Sequence, residues 1–345
     1  MIFNAYTIIV FFISILTGIL AFILFVFSLR VCLRWGKNLS DEEKSKIENR
    51  SYLLLLIAVV ILAVKLLSWP FFYVTLHSYI PHIQGAMCIF GVTQTQPYLS
   101  SIAQFFKSVV FFSAGGWLLL NGLDSTTETA PLFKRKFLFL SLVSLVVLAD
   151  SVSDFIYFTT FSTEADVACC TTFFDLPERT TAMLPISILG RGYERYMLPL
   201  YYLSNISLFA FTALFYIRFS AGRFRHTIMN SNVLYMMVTG AILSLLNASI
   251  TVIALFEVIA PKIMELPYHH CIYCMWQYVP VSIVMTGLFI IGTFSLNWAL
   301  LLYITGKHKE TVKFMKEYIR NLYFLGLIGT GVSMVMVTIL IFIKG

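Results

Sequence analysis

Long apolar segments, each of roughly twenty residues or more, recur along this chain of 345 residues. A helix of that length crosses the hydrocarbon layer of a bilayer. Lipid offers no hydrogen-bond partners, so a single apolar segment can satisfy its backbone groups there only as a helix. Short alternating segments, which are typical of membrane β-barrels, are not found. The sequence therefore predicts an all-α polytopic integral membrane protein, with about eight transmembrane helices in a single domain over 1–345. The predicted spans are 6–34, 51–79, 99–123, 136–160, 197–219, 231–259, 276–305 and 321–343.

The composition agrees with a membrane protein. Hydrophobic residues make up 59% of the chain and charged residues 12%, which is about half the share expected of a soluble domain. The net charge of +7 comes from lysines and arginines that flank the apolar segments, as in cytoplasmic loops. We therefore expect no nucleic-acid partner. The expected partners are the lipid bilayer and other membrane or periplasmic proteins.

The distribution of basic residues predicts the orientation. Seventeen lysines and arginines lie in or beside the links after spans one, three, five and seven, and only four lie in the opposite links. The positive-inside rule then places both termini outside the cytoplasm. The first span lacks a basic leader and a small-residue cleavage site, so it is interpreted as a retained helix. The expected location is the inner (plasma) membrane of the cell, as a multi-pass protein.

The links on the two predicted sides differ in character. Segment 36–50 is interpreted as a solvated loop, and segment 307–320 as a basic amphipathic helix along the inner leaflet. The outer links 80–98, 161–196 and 260–275 are expected to form a small cap that carries cysteine and histidine. Within the last span, Gly326, Gly329 and Gly331 predict a close approach of neighbouring helices.

Five of the six cysteines fall in these outer links, together with three histidines. Thiolate and imidazole are the side chains that favour soft transition metals such as Cu(I) and Zn²⁺. Adjacent cysteines such as Cys169 and Cys170 seldom bridge each other, because the small ring strains the disulfide. The predicted metal ligands are Cys88, Cys169, Cys170, His269, His270, Cys271, Cys274 and His82.

The motif CIYC places Cys271 and Cys274 three residues apart. If the seventh span begins near them, the two thiols share one helix face and form a reactive pair, so both are candidate catalytic residues. In this spacing the motif resembles that of the quinone-linked thiol oxidoreductases of the DsbB and vitamin K epoxide reductase kind, and the resemblance covers that motif alone. It implies a quinone as cofactor.

Four ionisable residues fall inside predicted spans. A charge near the bilayer centre is costly, so these residues should face the bundle interior and pair with one another. Lys107 is expected to pair with Asp150 or Asp154, with Lys65 adjoining. A functional role and a structural role both stay open for them. The functional role is an ion or proton path, or a quinone pocket. The structural role is an ion-pair network that locks helices together.

Three functions remain open from the sequence. The first is an extracytoplasmic Cys/His site that binds a metal or metal cofactor, for metal handling or for electron transfer with a partner complex. The second is a quinone-linked membrane thiol-disulfide oxidoreductase. The third is a structural membrane subunit whose outer loops are stapled by disulfides. Five outer cysteines cannot all pair within one chain, so at least one thiol needs another role.

Overall fold

The computed structural model describes residues 4–34, 41–163, 167, 180–221 and 231–344. Every regular element in these ranges is helical. The α-helices are α1 (Ala5–Arg34), α2 (Asp41–Tyr79), α3 (Ile89–Gln94), α4 (Pro97–Ser125), α5 (Phe133–Thr159), α6 (Thr180–Leu189), α7 (Glu194–Ser220), α8 (Ser231–Ala254), α9 (Ala260–Met264), α10 (Ile272–Tyr278), α11 (Val281–Thr305) and α12 (Val312–Lys344).

Eight of these segments are long and apolar enough to cross a membrane. They correspond to the eight predicted spans, which confirms the all-α polytopic fold class. Many large apolar side chains on them face outward, including Leu67, Leu203 and Phe342 at 75%, 65% and 84% exposure. Such faces require an apolar surrounding, which lipid supplies.

Three predicted boundaries were wrong. Helix α2 begins at Asp41, so most of the expected loop 36–50 is helical, and residues 35–40 lie outside the described part. The expected amphipathic helix at 307–320 is continuous with the last span from Val312 onward, because no proline or glycine interrupts residues 312–325. The seventh span begins at Val281 instead of 276. Pro280 explains this shift, because its ring has no N–H to continue a helix and restricts the residue before it.

The chain divides into two compact units, each with four spans. The first unit comprises Met1–Ala168 with Thr305–Thr311, and its spans are α1, α2, α4 and α5. The second comprises Cys169–Ile304 with Val312–Gly345, and its spans are α7, α8, α11 and α12.

In the first unit, α5 lies along α1 and α4. Helix α1 approaches closely at Gly18, where an added Cβ would lie 3.2 Å from the Cβ of Ser151. A buried apolar cluster joins all four spans in the half of the unit where α4 ends and α5 begins. Its members include Leu24, Ala58, Leu62, Val110, Ala114, Trp117, Phe137, Leu140, Val143 and Val147.

The other half of the first unit is closed by the link between α2 and α4. A 3₁₀ turn (Ile80–His82) follows α2, and Gly85 then adopts a φ of +82°. A Cβ at Gly85 would lie 2.2 Å from the carbonyl oxygen of Val167, so only glycine fits there. The amide of Val167 donates to the carbonyl of Gln84 at 3.3 Å, which ties the link between α2 and α4 to the chain after α5.

In the second unit, α7 packs against α8 and α12. The rings of Phe215 and Tyr323 stack with centroids 4.1 Å apart. Helices α11 and α12 approach closely at Gly292 and Gly329, as the glycine run predicted. An added Cβ at Gly292 would lie 2.7 Å from the amide nitrogen of Thr330. Small residues therefore allow backbone contact between these helices.

Candidate functional site

Cys271 and Cys274 lie on the short helix α10 in the second unit. Cys271 caps its N-terminus in an extended conformation, and its carbonyl accepts the amide of Met275 at 3.1 Å. The helix ends at Tyr278 and is capped by Val279, whose carbonyl accepts the hydroxyl of Ser282 at 2.6 Å. Both cysteines are buried, at 2% and 5% exposure, and their sulfur atoms lie within 4.8 Å of each other. Two thiols on one turn can act as a ligand pair or as a dithiol.

The two histidines before Cys271 have different surroundings. His269 is 3% exposed, and neither ring nitrogen has a hydrogen-bond partner within the described residues. Burying an imidazole without hydrogen bonds is costly, so this ring is suited to bind something further. The Nδ1 atom of His270 lies 3.2 Å from the Phe256 carbonyl oxygen and 3.7 Å from a Glu257 carboxylate oxygen.

Glu257 is a polar residue that the sequence did not single out as part of the site. It lies in a π-helical turn (Leu255–Ile259) between α8 and α9 and is 4% exposed. A π-helical turn within a span often marks a functional position. The contact between Glu257 and His270 could not be predicted from the sequence, because the turn between α9 and α10 brings the two residues together.

Cys88 lies in the first unit, in the link between α2 and α4. It caps the N-terminus of α3, and its carbonyl accepts the amide of Val92 at 3.4 Å. Its side chain is completely buried. Cys88 thus belongs to the ordered core of its link rather than to an exposed loop surface.

Three of the described cysteines are buried and offer thiol donors for a metal ion: Cys88 in the first unit, and Cys271 and Cys274 in the second. The described cysteines, which also include Cys32, form no disulfide. Thiolates in a buried position are the donors that Cu(I) and Zn²⁺ prefer. The donor set therefore fits a soft transition metal.

The remaining predicted ligands have other surroundings. His82 is exposed at the end of the 3₁₀ turn. In the second unit, neither His269 nor His270 joins Cys271 and Cys274 in a group whose ligand atoms all lie within 4.8 Å of one another. Cys169 and Cys170 lie outside the described residues.

A second constellation lies inside the first unit, and it contains the four intramembrane charges. Nζ of Lys65 lies 2.7 Å from Oδ2 of Asp150, and Nζ of Lys107 lies 2.6 Å from Oδ1 of the same carboxylate. Lys107 also contacts Oδ2 of Asp154 at 2.5 Å, and Lys65 lies 3.8 Å from that atom. All four side chains are buried. The pairing that the sequence predicted is confirmed, and we call these residues the charge quartet.

Aromatic and hydroxyl side chains surround the charge quartet. Nζ of Lys107 lies 5.1 Å from the centre of the Phe72 ring. The Ser14 hydroxyl, on α1, lies 3.5 Å from Oδ2 of Asp154. The quartet therefore joins α2, α4 and α5 directly and reaches α1 through a serine.

Two further polar clusters were not predicted. In the first unit, Lys136 pairs with Asp124 at 2.6 Å, and Asp124 Oδ1 accepts the amide of Leu132 at 2.9 Å. Lys136 was counted as a basic residue beside a loop, but it is 5% exposed and holds the turn between α4 and α5. In the second unit, Asn247 on α8 donates to the amide oxygen of Asn205 on α7 at 3.2 Å.

Comparisons of the chain with protein-family models, with curated proteins and with solved structures find no match.

Proposed function

We propose that this multi-pass membrane protein binds a transition metal through Cys88, Cys271 and Cys274. One observation carries the proposal: the sulfur atoms of the buried residues Cys271 and Cys274 lie within 4.8 Å of each other. Cys88 is the further buried thiol that the sequence predicts for the site. The site would serve metal handling or electron transfer with a partner complex. The basic-residue distribution supports a place for it on the extracytoplasmic face of the inner membrane.

The number of donors bears on the identity of the metal. Three thiolates suffice for Cu(I), whereas Zn²⁺ in proteins almost always takes four ligands. His269 is the candidate fourth ligand, because it lies two residues before Cys271, is buried, and has no hydrogen bond to either ring nitrogen within the described chain. Its ring would have to turn toward the thiols to share an ion with them. A Cys₃His set is an established zinc donor combination. The proposal therefore admits Cu(I) on the thiols alone and Zn²⁺ with His269.

Metal analysis of the purified full-length protein tests this function. The protein is stripped with a chelator in detergent under reducing conditions, reloaded with Zn²⁺ or Cu(I), desalted and assayed by elemental mass spectrometry. We expect wild type and Cys32→Ser to retain the same amount of metal. Cys88→Ser and Cys274→Ser should lose most of it. Unchanged retention in both of the latter variants would contradict the proposal.

A second function is favoured by the Cys271–Cys274 pair itself. Two thiols within 4.8 Å on one helical turn can close to a disulfide. In that reaction the dithiol loses two electrons and two protons, and a membrane quinone that accepts both becomes the quinol. A gel-shift assay with a thiol-reactive polymer, before and after addition of a soluble quinone, measures this oxidation. Loss of the Cys271 and Cys274 thiols alone, in protein that holds no metal, would favour this function over metal binding.

The structural-subunit function has no support from the described cysteines, which form no disulfide. A staple through Cys169 or Cys170 stays a prediction, since both lie outside the described residues.

A further inference from the structure

The two aspartates of the charge quartet are held unequally. Each oxygen of Asp150 accepts a hydrogen bond from a different lysine, at 2.7 and 2.6 Å. Asp154 contacts Lys107 through Oδ2 alone, while its Oδ1 has no hydrogen-bond partner within the described residues. The Asp154 side chain is nevertheless buried, at 3% exposure. An ion-pair network that only locks helices together would be more stable with all four carboxylate oxygens hydrogen-bonded, because a buried and unsatisfied carboxylate oxygen is destabilising.

A series of buried polar side chains lies between Asp154 and the end of the unit where α1 begins. Tyr157 lies one turn further along α5, is completely buried, and its hydroxyl has no hydrogen-bond partner in the described chain. Tyr157 and Tyr79 pack on the same two rings, Phe158 and Phe161.

From Tyr79 the series reaches the start of α1. The hydroxyls of Tyr79 and Thr7 lie 2.7 Å apart. The Thr7 hydroxyl donates to the side-chain oxygen of Asn4 at 2.9 Å, and Asn4 is only partly buried. Polar groups therefore lie between the charge quartet and the surface on this side.

The opposite side of the charge quartet is mainly apolar, and its buried polar side chains on α5 between Leu140 and Asp150 are the small hydroxyls of Ser141 and Ser144. One turn before Asp150 on α5 lies Val147, followed toward the helix start by Val143 and Leu140, all members of the buried apolar cluster. Trp117 and Phe137 complete the cluster at that end. Closely packed apolar side chains exclude water and carry no proton. Access to the charge quartet is thus favoured from one side of the membrane.

We propose that Asp154 is a proton-exchanging residue that communicates with water on the side of the membrane where α1 begins. A proton delivered by water binds Oδ1 and converts the carboxylate to a carboxylic acid, and its release to the same side reverses the step. Asp150 remains ionised and keeps both lysines paired throughout. The groups that face Asp154 are Lys65 from α2, Lys107 from α4, Asp150 from α5 and Ser14 from α1.

A charge quartet in which Asp154 exchanges a proton can change its net charge, whereas a static ion-pair network cannot. A charge that appears and disappears between three helices changes the attraction of Lys107 for α5, so proton uptake can be coupled to movement of a substrate or an electron. This inference concerns residues of the first unit and does not depend on metal binding.

Infrared difference spectroscopy of the full-length protein in lipid nanodiscs tests the proposal. Spectra recorded at acidic and alkaline pH should show a protonated carboxyl C=O band that shifts in D₂O. We expect that band in wild type and in the control Asp124→Asn, whose aspartate pairs with Lys136 elsewhere in the unit. It should be lost in Asp154→Asn, and in Asp154→Glu it should remain at a shifted frequency.

The tyrosine gives a second readout. Tyr157→Phe should slow the exchange of the Asp154 proton for deuterium, whereas Tyr323→Phe, which removes another buried hydroxyl, should leave the exchange unchanged. A titrating band that persists in folded Asp154→Asn protein would overturn the proposal. So would the absence of any titrating carboxyl band in wild type, which would leave the charge quartet as a helix lock alone. If Asp154→Asn fails to fold, an Asp154→Glu band at the wild-type frequency would overturn it equally.

Discussion

The ammonium nitrogen of Lys107 lies 2.6 Å from Oδ1 of Asp150, and both side chains are buried within predicted membrane spans. Lys107 belongs to α4 and Asp150 to α5, so the contact ties two neighbouring spans. Neither charge would be tolerated there alone, because an unpaired ion in a medium of low dielectric constant loses its hydration without compensation. Each therefore depends on the other for stability.

Removing one partner should reveal that dependence. Lys107→Met leaves two carboxylates with one lysine, and breaking a buried pair in this way typically costs ~3–5 kcal/mol. The double variant Lys107→Met with Asp150→Asn removes opposite charges together and should recover much of the loss. Thermal unfolding in detergent of the single and double variants gives the coupling free energy. Strict additivity of the two changes would show that the contact contributes nothing.

The close crossing of α11 and α12 provides a prediction about packing. Gly329→Ala would bring a methyl group to 2.7 Å from the Leu288 carbonyl oxygen, and overpacking of this kind costs about 1–3 kcal/mol. Gly287→Ala, on the same pair of helices, meets no atom within 4 Å and serves as the control. A lower melting temperature in Gly329→Ala but not in Gly287→Ala is expected. Equal melting temperatures would mean that the two helices do not cross at this point.

The orientation can be tested with introduced cysteines at two exposed positions in the first unit. Gln84 lies in a link predicted to be outside the cytoplasm, and Glu128 lies in a link predicted to be cytoplasmic. In intact cells, a membrane-impermeant thiol reagent should label Gln84→Cys above the level of the parent protein. Glu128→Cys should react only after the membrane is permeabilised. The reverse pattern would invert the topology.

His269 distinguishes the two metals. If its imidazole is the fourth ligand of Zn²⁺, His269→Ala should lower the Zn²⁺ affinity strongly, because a tetrahedral site loses one of four bonds. The Cu(I) affinity, which three thiolates can supply, should fall less. Competition with a chromophoric chelator measures both, and His82→Ala, at an exposed position, is the control. An equal and small effect of the two variants would exclude His269 as a ligand.

The eight spans could be predicted from the sequence because only long apolar segments are stable in lipid, and such segments must be helical to satisfy their backbone hydrogen bonds. The sequence also predicted the Lys107 contacts, since the cost of an isolated charge demands partners at the same depth. It did not predict the break between the short helix and Val281, because residues 276–279 carry no charge and only Pro280 marks the boundary.

Other features depend on tertiary packing that no local pattern encodes. Glu257 and His270 are thirteen residues apart and meet only because α9 and the following turn reverse the chain. The Lys136–Asp124 pair shows the same limit, since a basic residue beside a loop is usually solvated. The unequal environments of Asp150 and Asp154, one turn apart on α5, likewise follow from the positions of Lys65 and Lys107 on other helices.

X-ray absorption at the edge of the bound metal tests the central claim, which is that Cys88, Cys271 and Cys274 bind one ion. For the zinc-loaded wild type we predict three sulfur neighbours at about 2.3 Å and one nitrogen at about 2.0 Å. In Cys88→Ser the sulfur count should fall by one, while Cys32→Ser should give the wild-type spectrum. A coordination shell made of oxygen and nitrogen alone, or a sulfur count unchanged by Cys88→Ser, would contradict the account.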